Sequence, residues 1–422
     1  MSEALNSISL IFSIIFAFAL LASMLVKLWL AQRQVRHVSQ HRGAVPAQFA
    51  EKISLPAHQK AADYTVANVR LGMVESMVGV VVLVAWTLLG GLNALNQALQ
   101  HWALSAMVGQ LVLLGSVLLI GGLVDLPFSW YRQFVLEQRF GFNRMSLGLW
   151  LADLCKGLVL GAAIGLPLAW LVLWLMGQAG SIWWIWAWGV VVVFNYLMII
   201  LFPTVIAPWF NKFSPLQNDE LKARIEALLK RCGFRSSGVF VMDGSKRSSH
   251  GNAYFTGFGA GKRIVFFDTL IERLLPQEVE AVLAHELGHF KLRHIWKRMA
   301  LSFALTLAFF ALLGWLANQV WFYTGLGVLP SLTQPNDALA LILFFFALPV
   351  FTFLLGPLGS WASRRHEFEA DAFAAQQTNG RDLINALVKL YEDNASTLTP
   401  DPVYAQFYYS HPPAATRIER LQ

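Results

Sequence analysis

Cysteine is nearly absent: the 422 residues hold two. Cys155 falls in an apolar stretch and Cys232 in a charged one, so no disulfide framework and no thiol metal site can be assembled. Charge is scarce as well, at 14% Asp, Glu, Lys and Arg against 56% hydrophobic residues, roughly half the charged share of an ordinary soluble domain. Together with a mean hydropathy of +0.52, this excludes a soluble chain and points to an integral membrane protein. The first nine residues contain no Lys or Arg. A secretory signal needs a basic start and a shorter apolar run, so the first apolar stretch reads as a retained helix.

Apolar runs near the roughly 20 residues that cross a bilayer lie at about 7–30, 71–96, 103–127, 148–177, 182–207, 299–323 and 338–360, which makes seven spans. The net charge of +7 sits in their connections. Segment 31–70 carries Arg33, Arg36, Arg42, Lys52, Lys60 and Arg70, and segment 128–147 carries Arg132, Arg139 and Arg144, whereas 97–102, 178–181 and 324–337 have no Lys or Arg. Positive loops face the cytoplasm. The expected topology therefore has the N-terminus outside, with 208–298 and 361–422 both cytoplasmic. The basic excess is thereby a topology signal, and the expected partner is the lipid bilayer, with no nucleic acid. Glu75, Asp125, Asp153 and Lys156 fall near the cytoplasmic ends of spans, where an interfacial role accounts for them, and no site is assigned to them.

Four regions follow: spans one to five over 1–207, a charged segment over 208–298, spans six and seven over 299–360, and a C-terminal segment over 361–422. In the charged segment "NDELKARIEALLKRCGF" has a cap at Asn218 or Asp219, apolar residues at helical spacing and a stop at Gly233. "GVFVMDG" and "RIVFFDTL" read as strands, and the glycines of "SSHGNAYFTGFGAGK" between them suggest a hairpin. Two or three strands thus precede a helix, "PQEVEAVLAHELGHFKLRH". The fold class is mainly α, a polytopic membrane protein with seven transmembrane helices and a small β-sheet in its cytoplasmic segment.

On that helix His285 and His289 are four apart and share a face, with Glu286 beside them as a general base, the HExxH pattern of a zinc protease. The blander reading is an exposed helix that happens to carry two histidines. A hydrolytic zinc takes three protein ligands and keeps one position open. No third histidine stands ten residues after His285: position 295 is Ile, and His294 is one place off. A carboxylate is the next candidate, which would make this a gluzincin-like zinc protease domain. In "SRRHEFEADAFAAQQ", Glu367 and Asp371 share a helical face, which makes Glu367 the candidate ligand and Asp371 the acceptor that orients a ligating histidine. Glu369 is a rival ligand that points roughly away from Asp371, and His366 is a weaker one.

"LFPTVIAPWFNKFSPL", "GNAYFTGFGAGKRIVFFDTL", "HELGH", "RRHEFEADAFA" and "YYSHPPAATRIERL", with seven spans, resemble the type I CAAX prenyl endopeptidases over essentially the whole chain. The resemblance implies one Zn²⁺ held by His285, His289 and Glu367, with Glu286 as base. It further implies an intramembrane chamber, and a peptide or lipidated protein as substrate. It also implies that Asn252, His411 and Arg417 bind the substrate backbone or stabilise the oxyanion. Spacing alone would make Asn252 a turn residue and Arg417 a tail charge. Two alternatives share parts of the pattern. One is a membrane quality-control metalloprotease of the HtpX kind. The other is a non-enzymatic scaffold that holds zinc, in which Glu286 has no task.

Overall fold

Apolar side chains on every face make the longest helices of the chain, which is what a helix surrounded by lipid and by other helices requires. The computed structural model describes residues 3–256 and 262–422. Seven of its helical stretches are long and apolar enough to cross a membrane. They are built on α1 (Glu3–Gln40), α2 (Leu55–Trp86), α3 (Ala106–Tyr131), α4 (Leu147–Gln178), α5 (Trp183–Leu201), α8 (His294–Leu316) and the pair α9 (Asp337–Thr352) and α10 (Gly356–Gln377). Between α5 and α8 lie α6 (Asp219–Cys232) and α7 (Pro276–Lys291), and the chain closes with α11 (Gly380–Asp393), α12 (Pro402–Tyr408) and α13 (Ala414–Leu421).

The helices outrun their apolar cores. At 1.5 Å per residue the 38 residues of α1 extend about 57 Å, well past a hydrocarbon layer of about 30 Å. Its last turns therefore stand clear of lipid and do other work: Arg33 pairs with Asp401 at 2.9 Å, and the Gln34 amide oxygen accepts the Asp401 backbone N–H at 2.7 Å. The second span departs from the expected 71–96. Ser54 caps α2 and Pro56 occupies its first turn, so the helix starts well before the apolar run and ends at Trp86. There the chain turns through Gly90, at φ 76°, into a separate helix over Gly91–Gln100. The turn is locked from outside: a Cβ on Gly327 would lie 2.1 Å from the Thr87 carbonyl oxygen.

Asn218 caps α6 by accepting the Leu221 N–H, and Gly233, in the left-handed region, ends it, as the sequence predicts. The sheet is larger than expected. It holds four strands, β1 (Phe213–Pro215), β2 (Gly238–Met242), β3 (Ala253–Thr256) and β4 (Arg263–Phe267), in the order β1-β2-β4-β3. β3 and β4 run antiparallel as a hairpin requires, with Ala253 opposite Phe266; the glycine-rich turn itself, 257–261, lies outside the described residues. β2 pairs with β4 in parallel. β3 is thus an edge strand, with no strand on its outer side among the described residues.

Two large apolar cores and two small clusters result among the described residues. One joins the spans, with Phe16, Leu92, Leu173, Phe322 and Leu343 fully buried. The other packs α6, α7, α10 and α11 against the sheet through Ile225, Phe266, Leu283, Ala374 and Leu383. A polar pair ties the two together, Arg247 between β2 and β3 with Asp153 of α4 at 2.8 Å, while Arg132 braces α2 through Glu75 at 2.8 Å within the spans. Glu75 and Asp153 thus serve as struts.

Candidate metal centre

The rotation of α7 is set by burial. Val279, Leu283, Ala284 and Leu287 face the core at 1% exposure or less, each of the larger ones contributing about 1.5–3 kcal/mol. Its start is fixed by Pro276 and by Glu278, whose carboxylate accepts the Leu275 N–H at 2.8 Å and is itself held by Lys389 at 2.7 Å. With that face buried, His285 and His289 turn towards α10. Gly288 lets α10 come close: a Cβ there would lie 3.0 Å from the Ala370 Cα. Any larger side chain forces the helices apart.

The close approach delivers Glu367. His285 Nε2 and His289 Nε2 are 3.3 Å apart, His285 Nε2 is 3.4 Å from Glu367 Oε2, and His289 Nε2 is 3.3 Å from Glu367 Oε1. Three ligand atoms at about 2.05 Å from a tetrahedral zinc stand about 3.3 Å from one another, so the triangle has the right size. Glu367 Oε2 is buried without a hydrogen-bond partner, and a buried oxygen left in that state is costly. The donor set is also that of a borderline-soft divalent cation. The residues fit a metal.

Behind the triangle each histidine is held from its far nitrogen. His285 Nδ1 is 2.8 Å from Asp371 Oδ1, and Asp371 accepts two hydrogen bonds from Arg417, at 2.6 and 2.8 Å. Burial disfavours charge on His285, but the facing carboxylates of Asp371 and Glu367 outweigh it and push the pKa up to about 9. His289 Nδ1 is 3.0 Å from His294 Nδ1, and His294 Nε2 is 3.0 Å from Glu369 Oε2.

One cavity of about 360 Å³ gathers Asn252, His285, Glu286, His411 and Arg417. Burial raises the pKa of Glu286, with the charges of His285 and His289 pulling the other way. His411 Nε2 stands 3.5 Å from Glu367 Oε1, with much of its ring exposed on the cavity side. Its backbone is set by Arg364, one turn before Glu367, which donates to the carbonyls of Gln406 and Tyr409 at 3.1 and 2.7 Å. Asn252 precedes β3 and is exposed. The Asn394 amide oxygen accepts the Gly251 N–H at 3.2 Å and anchors that strand's entrance.

The expected ligands, the expected base and the three residues implied by resemblance are therefore brought together. Arg417 is placed differently from a simple oxyanion donor, since two of its nitrogens hold Asp371. Sequence reasoning set aside His294 and Glu369, and gave no site role to Arg364 or Asn394. Only the excess of histidine and carboxylate around the two motifs could have flagged the first pair.

Comparison with known proteins agrees over nearly the whole chain. Residues 34–212 match the family model for the CAAX prenyl protease N-terminal region, five membrane helices, and residues 215–422 match that for peptidase family M48. CAAX prenyl protease 1 of Saccharomyces cerevisiae is 36% identical, covering 93% of this chain and 91% of its own. CAAX prenyl protease 1 homolog of Homo sapiens is 32% identical, covering 97% and 95%. The crystal structure of S. mikatae Ste24p superposes with a TM-score of 0.90 at 31% identity, covering 97% of this chain and 99% of that one.

Proposed function

The chain belongs to peptidase family M48 and is an integral membrane metalloendopeptidase, and from that premise we propose that it holds one Zn²⁺ and cleaves lipidated, CaaX-type or otherwise hydrophobic peptides at the cytoplasmic boundary of its membrane. Residues 1–207 and 299–360 form the membrane part, and 208–298 and 361–422 supply the reacting groups. His285, His289 and Glu367 hold the zinc, and Asp371 orients His285. The observation that carries the reading is the 3.3–3.4 Å triangle, one corner of which, His285, lines a cavity together with Glu286. Bound there, the metal supplies Lewis acidity, polarising the scissile carbonyl and easing deprotonation of water.

The chain's own groups do the rest. The Glu286 carboxylate takes the proton from the attacking water and passes it to the leaving nitrogen. His411, within reach of Glu367, donates to the oxygen that becomes negative, while Arg417 holds Asp371 and so the ring of His285. The extended substrate adds to the free edge of β3 along Asn252 to Phe255, where backbone pairing reads shape more than side chains. The lack of basic residues in three alternate connections supports placing the zinc segments in the cytoplasm. The names of the yeast and human relatives support a prenylated substrate.

The test compares one peptide with and without a C15 thioether near its scissile bond, cleaved by the full chain in bilayers. A higher kcat/KM for the thioether form is expected. Equal values would remove the lipid from the proposal, and no cleavage of either, with zinc bound, would remove the reaction.

A further inference from the structure

On a straight helix, residues five apart are separated by about 140°, so His294 should not meet His289. It does because the helix breaks. Leu292 ends α7, Arg293 takes the left-handed conformation at φ 59°, and α8 begins at His294 itself. That single residue turns His294 back until its Nδ1 lies 3.0 Å from His289 Nδ1. A left-handed backbone at a non-glycine residue is unfavourable, and here it places one imidazole against another.

The polarity of the contact follows from its far end. Glu369 Oε2, 3.0 Å from His294 Nε2, is a carboxylate oxygen and can only accept. His294, at 1% exposure, therefore keeps its proton on Nε2, donates that N–H to Glu369, and offers a bare Nδ1. His289 must then donate from Nδ1, which leaves its Nε2 lone pair free and aimed into the triangle with His285 and Glu367. The opposite arrangement would set a bare Nε2 of His294 against the carboxylate. The ring of His294 is further fixed by His366, stacked at 4.1 Å and 12°.

We propose that His294 and Glu369 are positioning residues that lock His289 in the tautomer and orientation able to ligate the metal. They do for His289 what Asp371 does for His285, with an imidazole inserted where the carboxylate alone does not reach. All three carboxylates come from α10 at alternate positions: Glu367 in the triangle, Asp371 behind one histidine, Glu369 behind the other. The inference rests on the metal reading above and adds two residues whose part is to orient.

The test is zinc affinity of the full chain in detergent or nanodiscs, by competition with a calibrated chelator, beside the visible spectrum of the Co²⁺ form. His294→Ala should weaken zinc 10–100-fold, the usual effect of losing such a partner, and alter the Co²⁺ spectrum. His294→Asn should restore most of the affinity, because its amide oxygen lies where Nδ1 was and can accept from His289. Glu369→Ala, which leaves His294 and its packing in place, should weaken zinc several-fold, while Glu369→Gln, still an acceptor, should not. Unchanged affinity in His294→Ala, or an Asn variant no better than the Ala variant, overturns the proposal. Should His294→Ala not fold, the contrast between the two Glu369 variants decides the matter. A parent chain that binds no zinc instead sinks the metal reading, and this inference with it.

Discussion

Arg417 and Asp371 form a buried two-pronged ion pair, Nη2 to Oδ1 at 2.6 Å and Nε to Oδ2 at 2.8 Å, with both side chains at 7% exposure or less. Removing the guanidinium strands a carboxylate beside His285. Breaking such a pair costs about 3–5 kcal/mol, so Arg417→Ala should melt well below the parent and bind zinc less tightly. Arg417→Lys should fall between, since an ammonium keeps the charge but not the fork. Thermal melts in detergent, with zinc content measured on the same samples, test this; a melting point equal to the parent's would show that the pair is structurally idle.

The roles of the two glutamates on the cavity side separate cleanly. Glu367→Ala should lose metal, whereas Glu286→Gln should keep it and lose about 10²–10⁴-fold in kcat, the range that a positioned base contributes. Metal analysis and peptide cleavage on both variants check the assignment. Loss of zinc in both to the same degree would merge the roles and contradict it.

Gly288→Ala probes the helix crossing. Its Cβ would meet Ala370 backbone atoms at 3.0 and 3.2 Å, and backbone yields only if a helix moves. The expected outcome is weaker zinc binding with secondary structure retained, since alanine favours helix more than glycine by about 1 kcal/mol. Zinc competition together with far-ultraviolet circular dichroism reads both halves. Undiminished affinity would mean that the crossing does not set the triangle.

Burial holds Glu286 above its ordinary value of 4.5, with the His285 and His289 charges opposing. A base works only when ionised. Activity should therefore be lost, as pH falls, at a higher pH than an ordinary carboxylate would give. The profile of kcat/KM against pH, with zinc content followed in parallel to exclude metal loss, tests the sign. An acid limb at or below 4.5 with metal still bound would contradict it.

What the sequence discloses here is local. Four-residue spacing puts His285 with His289, and Glu367 with Asp371, on shared faces, because helical periodicity operates within two turns; the structure then sets His285 Nε2 3.4 Å from Glu367 Oε2. The cap of α6 at Asn218 was legible for the same reason. Hydropathy locates apolar stretches but not helix ends, so the early start of α2 at Leu55 and the extension of α1 to Gln40 were missed. β1 was too short to show any alternation. His294 could not be read as a partner of His289 because the contact depends on one left-handed residue, Arg293, whose side chain gives no hint of its backbone. Arg417 beside Asp371 is a tertiary pairing that no spacing encodes.

His285 and Glu367 stand on the same end of the bundle with two membrane-capable stretches between them, one along α8 and one returning along α9. During synthesis the HExxH helix is complete long before its third ligand exists, and the ligand can arrive only if both crossings have been made. A nascent chain that skips either one carries Glu367 to the opposite face of the membrane. Correct insertion is thus written into the site as a precondition, and an incompletely inserted chain cannot assemble the set of three.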